Sequence, residues 1–211
     1  MSKKIMFLIF KRVLRERKEF FNVFIPLSLK YSMKRIVVIG NAASGKSTLS
    51  MKIKEITNIP VYHLDKILWK KNWERTPEDE FTAKHEEIIR KDSWIIDGVA
   101  YKSTYPDRFS RADTIIFLDT SLDDCKYRGL RRMEEDLERP NPYVTKGCRY
   151  PIELVKEQND VIELFHNEYR MHILEMIEQY KKDKETILLR TDKEVQIFLE
   201  NLKKKKNKID N

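Results

Sequence analysis

Apolar positions along the chain fall into five short runs, separated by longer stretches whose apolar residues recur at helical spacing. "RIVVI" (35–39) is a continuous β-branched run closed by Gly40, the pattern of a strand covered on both faces. A helix is predicted from Lys46, with Leu49, Ile53 and Ile56 on one side and the stop signal "NIP" at 58–60. "VYHL" (61–64) predicts a second strand. Thr76-Pro77-Glu78-Asp79 predicts a helix start, with a capping hydroxyl, an early proline and acids against the helix dipole, and the helix runs to about Lys91. "WII" (94–96) before Asp97 and "TIIFL" (114–118) before Asp119 predict the third and fourth strands.

Ser121 caps a further predicted helix that reaches about Glu135. The proline-containing "ERPNPYVTKGCRYP" interrupts, and a long helical pattern follows over about 152–181, with Val161, Leu164, Phe165, Ile173 and Ile177 among its apolar positions. "TILLR" (186–190) predicts the fifth strand, and Thr191 to Glu194 forms a capping box for the last helix. Strands alternating with helices predict an α/β fold, a parallel sheet with helices on both faces. In such sheets ligands sit at the carboxyl ends of the strands, where Gly40, Asp65, Asp97, Asp119 and Arg190 all fall.

Composition narrows the class. The 211 residues are 41% hydrophobic and 36% charged, as expected of one soluble globular domain with appendages. Cys125 and Cys148 are too few for a disulfide framework and have no metal-type spacing, so a reducing, cytoplasmic setting is expected. The net charge of +8 is carried by the ends. Residues 1–32 hold eight Lys/Arg and two acids, and residues 203–211 hold five Lys and one Asp, leaving 29 basic and 31 acidic side chains on 33–202. The domain count therefore gives no support for a face that tracks nucleic-acid backbones; a local patch within it and loose binding through the tail are the routes left open.

Three segments follow: an N-terminal basic extension (1–32), the domain proper (33–202) and a solvated basic C-terminal tail (203–211). In the extension Ile5–Phe10 is too short for a signal-peptide core, and no apolar run anywhere is long enough to span a bilayer. A basic amphipathic helix on a membrane surface, a helix packed on the domain and a dispensable extension ahead of Met33 are the three readings of it. The expectation is that the domain does not need it.

The chemistry is concentrated in "GNAASGKST" (40–48), which matches G-x-x-x-x-G-K-[ST] with a strand before it and a helix after it. Glycine lets successive amide hydrogens turn inward onto phosphate oxygens, and the helix N-terminus adds positive partial charge. Gly40, Ala43, Ser44, Gly45, Lys46, Ser47 and Thr48 are therefore expected to hold the phosphates of ATP, with Lys46 reaching the β- and γ-groups. Ser47 and Asp97, which ends an apolar strand, are the expected Mg²⁺ residues. The "NKxD" string at 207–210 lies in the basic C-terminal tail and not behind a strand, where a GTPase reads its base, and helicases and motors need more chain. What remains is a small-molecule kinase with an arginine-bearing lid over about 128–170.

Arg128, Arg131 and Arg132 lie on one predicted helix, Arg139 in the proline-containing stretch and Arg170 on the long helix. Guanidinium groups suit the spreading charge of a transferring phosphoryl group, and Arg128 can share a helix face with Arg131 or Arg132. The rival reading is a surface helix balanced by Glu134, Glu135 and Asp136.

Taken in order, "RIVVIGNAASGKSTL", "IPVYHLDKILW", "DSWIIDG", "ADTIIFLD", "YRGLRR" and "RPNPYVTKGC" resemble the adenylate kinase-like P-loop proteins called topology modulation proteins (FlaR-related), over roughly 33–202. The resemblance implies a three-layer P-loop NTPase fold with strand order 2-3-1-4-5 and an acceptor site near the second and third strands. It places Asp65 and Trp69 at the acceptor, with Asp65 or Asp97 as the base; Trp73 is a second aromatic nearby. Asp65 as a helix cap, the tryptophans as core and His63 as a packed histidine are the plainer alternatives. Adenylate kinases continue their third strand as "DGFPR", whose arginine grips the acceptor phosphate. Here Tyr101 stands at that position, with Lys102 and Arg108 beyond it. A nucleoside or another hydroxyl compound is thus as credible an acceptor as a nucleotide, with Arg108 a candidate contact. Arg190 and Thr191 are expected beside the adenine. The second functional class is an ATP-binding regulatory or DNA-associated protein with slow hydrolysis.

Overall fold

The computed structural model describes residues 33–210 except residues 137, 150 and 151. The readings of residues 1–32 fall outside the described residues. Strands β1 (Arg35–Gly40), β2 (Val61–His63), β3 (Trp94–Asp97), β4 (Thr114–Leu118) and β5 (Glu185–Leu189) form one parallel sheet in the order β2-β3-β1-β4-β5. The continuous apolar runs became the three inner strands, whose residues are buried from Ile36 onward in β1 and throughout β3 and β4. The flanking strands behave differently. β5 alternates buried and half-buried positions, and β2 is half-buried along its length.

Alternation along β1 divides the core between the two faces. Val37 and Ile39 join Phe81, Ile88, Trp94, Ile96, Phe109 and Phe117 on one side, while Ile36 and Val38 join Leu49, Ile53, Ile116, Ile187 and Phe198 on the other. Burying each such side chain contributes about 1.5–3 kcal/mol. The second face is covered by α1 (Lys46–Thr57), ended by Asn58 at φ 60°, and by the last helix. The first face is covered by α2 (Asp65–Leu68), α3 (Glu78–Ile89), α4 (Tyr105–Arg111) and the helices of the lid. The stretch expected as a lid, about 128–170, falls within α5 (Leu122–Asp136), an irregular stretch, α6 (Val155–Leu164) and the start of α7 (Arg170–Tyr180). The chain closes with α8 (Asp192–Asp210).

Several expectations are corrected. Thr76 does not cap α3; its hydroxyl donates to Ile67 O at 2.7 Å and so fastens α2 to the following loop. α3 stops at Ile89, two residues short of Lys91, and β5 sits one residue earlier than "TILLR". The long helical pattern is split by a π turn, Phe165–Tyr169. Residues 203–208, expected as a solvated tail, continue α8. The short helices α2 and α4 had no clear periodic signal, being one to two turns long. The capping boxes were legible: Ser121 Oγ accepts the Asp124 N–H at 3.1 Å, and Thr191 Oγ1 accepts the Glu194 N–H at 3.2 Å.

Candidate active site

Parallel register brings the functional ends of the strands abreast. Val38 and His63 both pair with Asp97, and Gly40 pairs with Leu118, so the loop after β1 opens between the ends of β3 and β4. The loop needs glycine at two points for separate reasons. Gly45 holds φ 94°, and a Cβ on Gly40 would lie 2.7 Å from Leu118 O and 2.8 Å from Ser44 Oγ. From Gly45 the chain enters α1 with no side-chain cap, so its first amides remain free to meet an anion. Lys46 is half-buried rather than exposed, and its Nζ donates to Asn41 O at 3.2 Å.

Asn41 fixes the loop from the other side. Its Nδ2 donates to Ile162 O in α6 at 2.9 Å, and its Oδ1 accepts the Ala42 N–H at 2.7 Å. A helix carbonyl that takes an outside donor is one route to local widening, and the π turn begins three residues later. Thr120 Oγ1 and Arg128 Nη1 both donate to Ser44 O, at 3.2 and 3.4 Å. Nothing in the sequence around Asn41 reveals a partner 121 residues away.

A 580 Å³ cavity lies over this loop. Gly45, Lys46, Ser47 and Thr48 form one wall, Asp65 a second, and Arg132, Glu135, Asp136 and residues 138–144 close it from the lid side. Asp65 begins α2, yet its carboxylate caps nothing and takes no hydrogen bond from any described residue. Burial raises its pKa above the usual carboxylate value; Lys46, Arg132 and His63 pull it down and Asp97 pushes it further up. Lys46 and Arg132 line the same cavity as Asp65.

Asp97 is buried and does not line the cavity. Its Oδ2 lies 2.7 Å from His63 Nδ1, while Oδ1 is left with no partner among the described residues. An orphaned, buried carboxylate oxygen and a serine hydroxyl at the first turn of α1 are hard oxygen donors, which fit Mg²⁺ held through water. Among the described residues there is no cluster of three or more His, Cys, Asp or Glu able to hold a metal without the nucleotide. His63 does not line the cavity; its Nδ1 sits against Asp97 Oδ2.

The arginines separate sharply. Arg128 and Arg132 share a face of α5, whereas Arg131 turns to solvent and pairs with Glu135. Arg132 lines both the main cavity and a second, 430 Å³ cavity behind the loop. Arg128 lines only the second, where its Nη2 meets both Asp192 oxygens at 3.1 Å. Arg170, expected at the phosphates, is bound instead to Asp119 through Nε and Nη2 at 2.6 and 2.7 Å, a two-pronged pair that ties α7 to the end of β4. Arg190 approaches the same carboxylate at 3.6 Å. Neither Arg190 nor Thr191 lines the second cavity; Asp192, the next residue, and Val195 and Gln196, one turn further on, do.

Two expected acceptor residues are placed elsewhere. Arg108 is fully buried between α3 and α4: Nη2 donates to Val99 O at 2.7 Å, the guanidinium lies 4.5 Å over the Tyr105 ring, and burial lowers its pKa to about 10. Trp69 stacks edge-on against Trp73 at 5.5 Å, away from the cavity. That pair serves the lid. Thr145 Oγ1 donates to Trp69 O, Cys148 Sγ to Lys70 O at 3.1 Å, and Trp73 Nε1 to Arg149 O at 2.8 Å. The lid loop is thus fastened along 69–73, and this brings Tyr143 to the cavity, its ring 5.0 Å from that of His63. Both cysteines are free and buried, and burial pushes the Cys125 thiol up to about 11.

No protein-family model matches the chain, and no curated protein matches it. Among solved structures, the fold is similar to a gluconokinase from Sinorhizobium meliloti 1021, at 16% identity over 83% of this chain and 95% of that one, with a TM-score of 0.44. A shikimate kinase from Acinetobacter baumannii in complex with shikimate is 14% identical over 84% and 91% of the two chains, with a TM-score of 0.45. A deoxyadenosine kinase from M. mycoides with bound dATP is 16% identical over 82% and 98%, with a TM-score of 0.39.

Proposed function

We propose that the chain is an adenylate kinase-like, ATP-dependent kinase that moves the γ-phosphoryl group of ATP to a hydroxyl of a small acceptor. One observation carries the reading. A phosphate-binding loop, three cations (Lys46, Arg132 and Arg139) and a carboxylate of raised pKa converge on a single 580 Å³ cavity. The acceptor hydroxyl attacks the γ-phosphorus while its proton passes to Asp65. The bond from that phosphorus to the β–γ bridging oxygen breaks, and ADP leaves.

Phosphoryl transfer asks for positioning and charge more than for covalent help. The amides of Gly45–Thr48 seat the phosphates, and Lys46 and Arg132 face the oxygens on which charge develops. Asp65 suits a general base because burial raises its proton affinity above that of a solvated carboxylate, against the pull of Lys46, Arg132 and His63. Ser47 and Asp97 would hold Mg²⁺, which supplies charge neutralisation at the phosphates. The 430 Å³ cavity, with Leu118 and Val195 as apolar walls and Gln196 as a polar edge, suits the adenine ring. A cytoplasmic setting fits two free, buried cysteines.

The test has two steps. Titration calorimetry with ATP and Mg²⁺ should give saturable heat that Lys46→Ala removes. Purified protein screened against nucleosides, nucleotides, sugars and amino alcohols should then release ADP in an acceptor-dependent manner. No heat with ATP ends the proposal. Saturable heat with only acceptor-independent, slow hydrolysis replaces it with a regulatory ATPase.

A further inference from the structure

The two ends of the main cavity differ in charge. Its cations are Lys46, Arg132 and Arg139, and its acids are Asp65, Glu135, Asp136 and Glu138. Lys46 and Arg132 flank the phosphate-binding loop, which leaves Arg139, among the lining cations, against the four acids. Arg75, Lys102, Arg108 and Arg170 are all engaged elsewhere. Tyr101, at the position of the adenylate-kinase arginine, turns away to donate to Thr76 O at 2.6 Å. Arg75 lies 4.2 Å over the Tyr101 ring, and Lys102 lies 3.8 Å over the Tyr169 ring. Arg108 is sealed in the core, and Arg170 is spent on Asp119.

What the acceptor end offers instead is Asp65, the Asn141 side chain, acidic groups on the rim and one aromatic face. Asn141 is half-buried, and its Oδ1 accepts the Tyr143 N–H at 2.9 Å. Asp136, fully buried, accepts the Asn141 N–H at 2.6 Å. The turn that carries Tyr143 is thus held from both sides, and the three fastenings along 69–73 hold the loop beyond it. A half-buried ring on so constrained a turn, beside the Asp65 wall, is a preorganised platform for the carbon face of a ligand.

Building on the kinase reading above, we infer that the acceptor is an uncharged or cationic hydroxyl compound, lacking phosphate and carboxylate groups, that lies on Tyr143 with its reactive hydroxyl toward Asp65. Tyr143 sets acceptor affinity and takes no part in nucleotide binding. An anionic acceptor would meet four lining acids with Arg139 as the cation left to offset them, which is the repulsive half of the selectivity.

The experiment compares pairs on the full chain with ATP and Mg²⁺: adenosine against AMP, thymidine against dTMP, glucose against glucose 6-phosphate and gluconate, and ethanolamine against serine. ADP release is read for each, and binding to the ADP-loaded protein is read by calorimetry. The uncharged or cationic member of each pair should match or exceed its anionic partner, by tenfold or more wherever turnover is seen. A monophosphate or carboxylate preferred by either readout overturns the inference while leaving the kinase reading intact; loss of ATP binding in the wild-type chain ends both. Tyr143→Ala and Tyr143→Leu should each raise the KM (or Kd) of the best neutral probe about tenfold and leave the KM of ATP unchanged. An equal rise for ATP, or no change for the probe in either variant, removes Tyr143 from the acceptor site.

Discussion

The loop wall of the cavity, Gly45–Thr48, belongs to one continuous stretch of chain, Gly40–Thr48, whereas the opposite wall is assembled from two segments far apart in sequence, one carrying Asp65 and the other carrying Arg132 and residues 138–144. The first wall follows from local rules: a strand end, a residue with φ 94° that only glycine tolerates well, and a helix N-terminus. The second exists only because Thr145, Cys148 and Arg149 meet the backbone or side chains of 69–73 and carry residues 138–144 over Asp65. A wall that one helix and one turn can hold is rigid before any ligand arrives. A wall held by a few hydrogen bonds between distant segments can loosen as a unit. Perturbing the first should therefore abolish nucleotide chemistry, while perturbing the second should change acceptor handling and spare the nucleotide.

The largest expected effect belongs to the first wall. Lys46→Ala should lower kcat about 10³–10⁵-fold, since it removes a cation from the transferring phosphoryl group. Its one described hydrogen bond goes to Asn41 O, so folding stability should change by about 0.5 kcal/mol or less. Steady-state ADP release and a thermal melt check both halves. Retained turnover would show that the loop serves some other ligand.

Asp65→Asn should come next and should separate the walls. Acceptor-dependent turnover should fall about 10²–10⁴-fold as the base is lost, with ATP affinity almost unchanged. The same substitution should stabilise the fold at neutral pH. Burial raises the pKa of Asp65, so the native state binds its proton more tightly than the unfolded chain does. Stability therefore declines as pH rises from below 3.8 through the raised value, and the asparagine variant escapes that decline. Melts from pH 3 to 7 should show a gain that fades toward the acid end. A loss of stability at neutral pH would make Asp65 a structural residue.

The same contrast explains what was legible in the sequence. The glycine loop, five strands, their order and the position of Asp65 could all be read, because each depends on apolar runs, turn residues or a resemblance in order. The arginines could not be sorted. Arg131 and Arg132 are neighbours in sequence, and a turn of 100° decides which sees the cavity. Arg170 and Arg190 both converge on Asp119, a choice made by tertiary packing of α7 and β5 against β4. Tyr143 gave no signal by itself, since its role depends on fastenings to residues more than seventy positions away. The aromatic that sequence reasoning offered, Trp69, belongs to the site that receives those fastenings.

A weaker, pH-dependent effect should reach the second wall through its support. His85 on α3 stacks near Phe81 at 6.1 Å, Phe81 meets Tyr101 at 5.3 Å, and Tyr101 holds Thr76, whose hydroxyl fastens α2. Burial, with Arg108 adding to it, lowers the pKa of His85 from 6.5 to about 4. A buried histidine of depressed pKa contributes stability above pH 6.5 that is lost as pH falls toward 4, because the unfolded chain takes the proton first. His85→Leu should flatten stability across that window. Acceptor KM in the wild-type protein should rise there before the KM of ATP does. If both rise together, the two walls do not act separately.

The smallest expected effect is also the most direct measure of how the second wall is held. Thr145→Val keeps the shape of the side chain and deletes the hydroxyl that bonds Trp69 O and, at 3.3 Å, Lys66 O. A typical intramolecular hydrogen bond contributes about 1 kcal/mol, which corresponds to a change of about fivefold in a local opening equilibrium. Cys148 and Trp73 still fasten the loop, so the loop should fray without detaching. The expected outcome is a KM for the acceptor raised a few-fold, with kcat and the KM of ATP unchanged, and faster hydrogen exchange confined to residues 138–149. Exchange that also quickens in residues 41–46 would mean that the contact of Asn41 with Ile162 O transmits lid opening to the phosphate loop, making the two walls one mechanical unit.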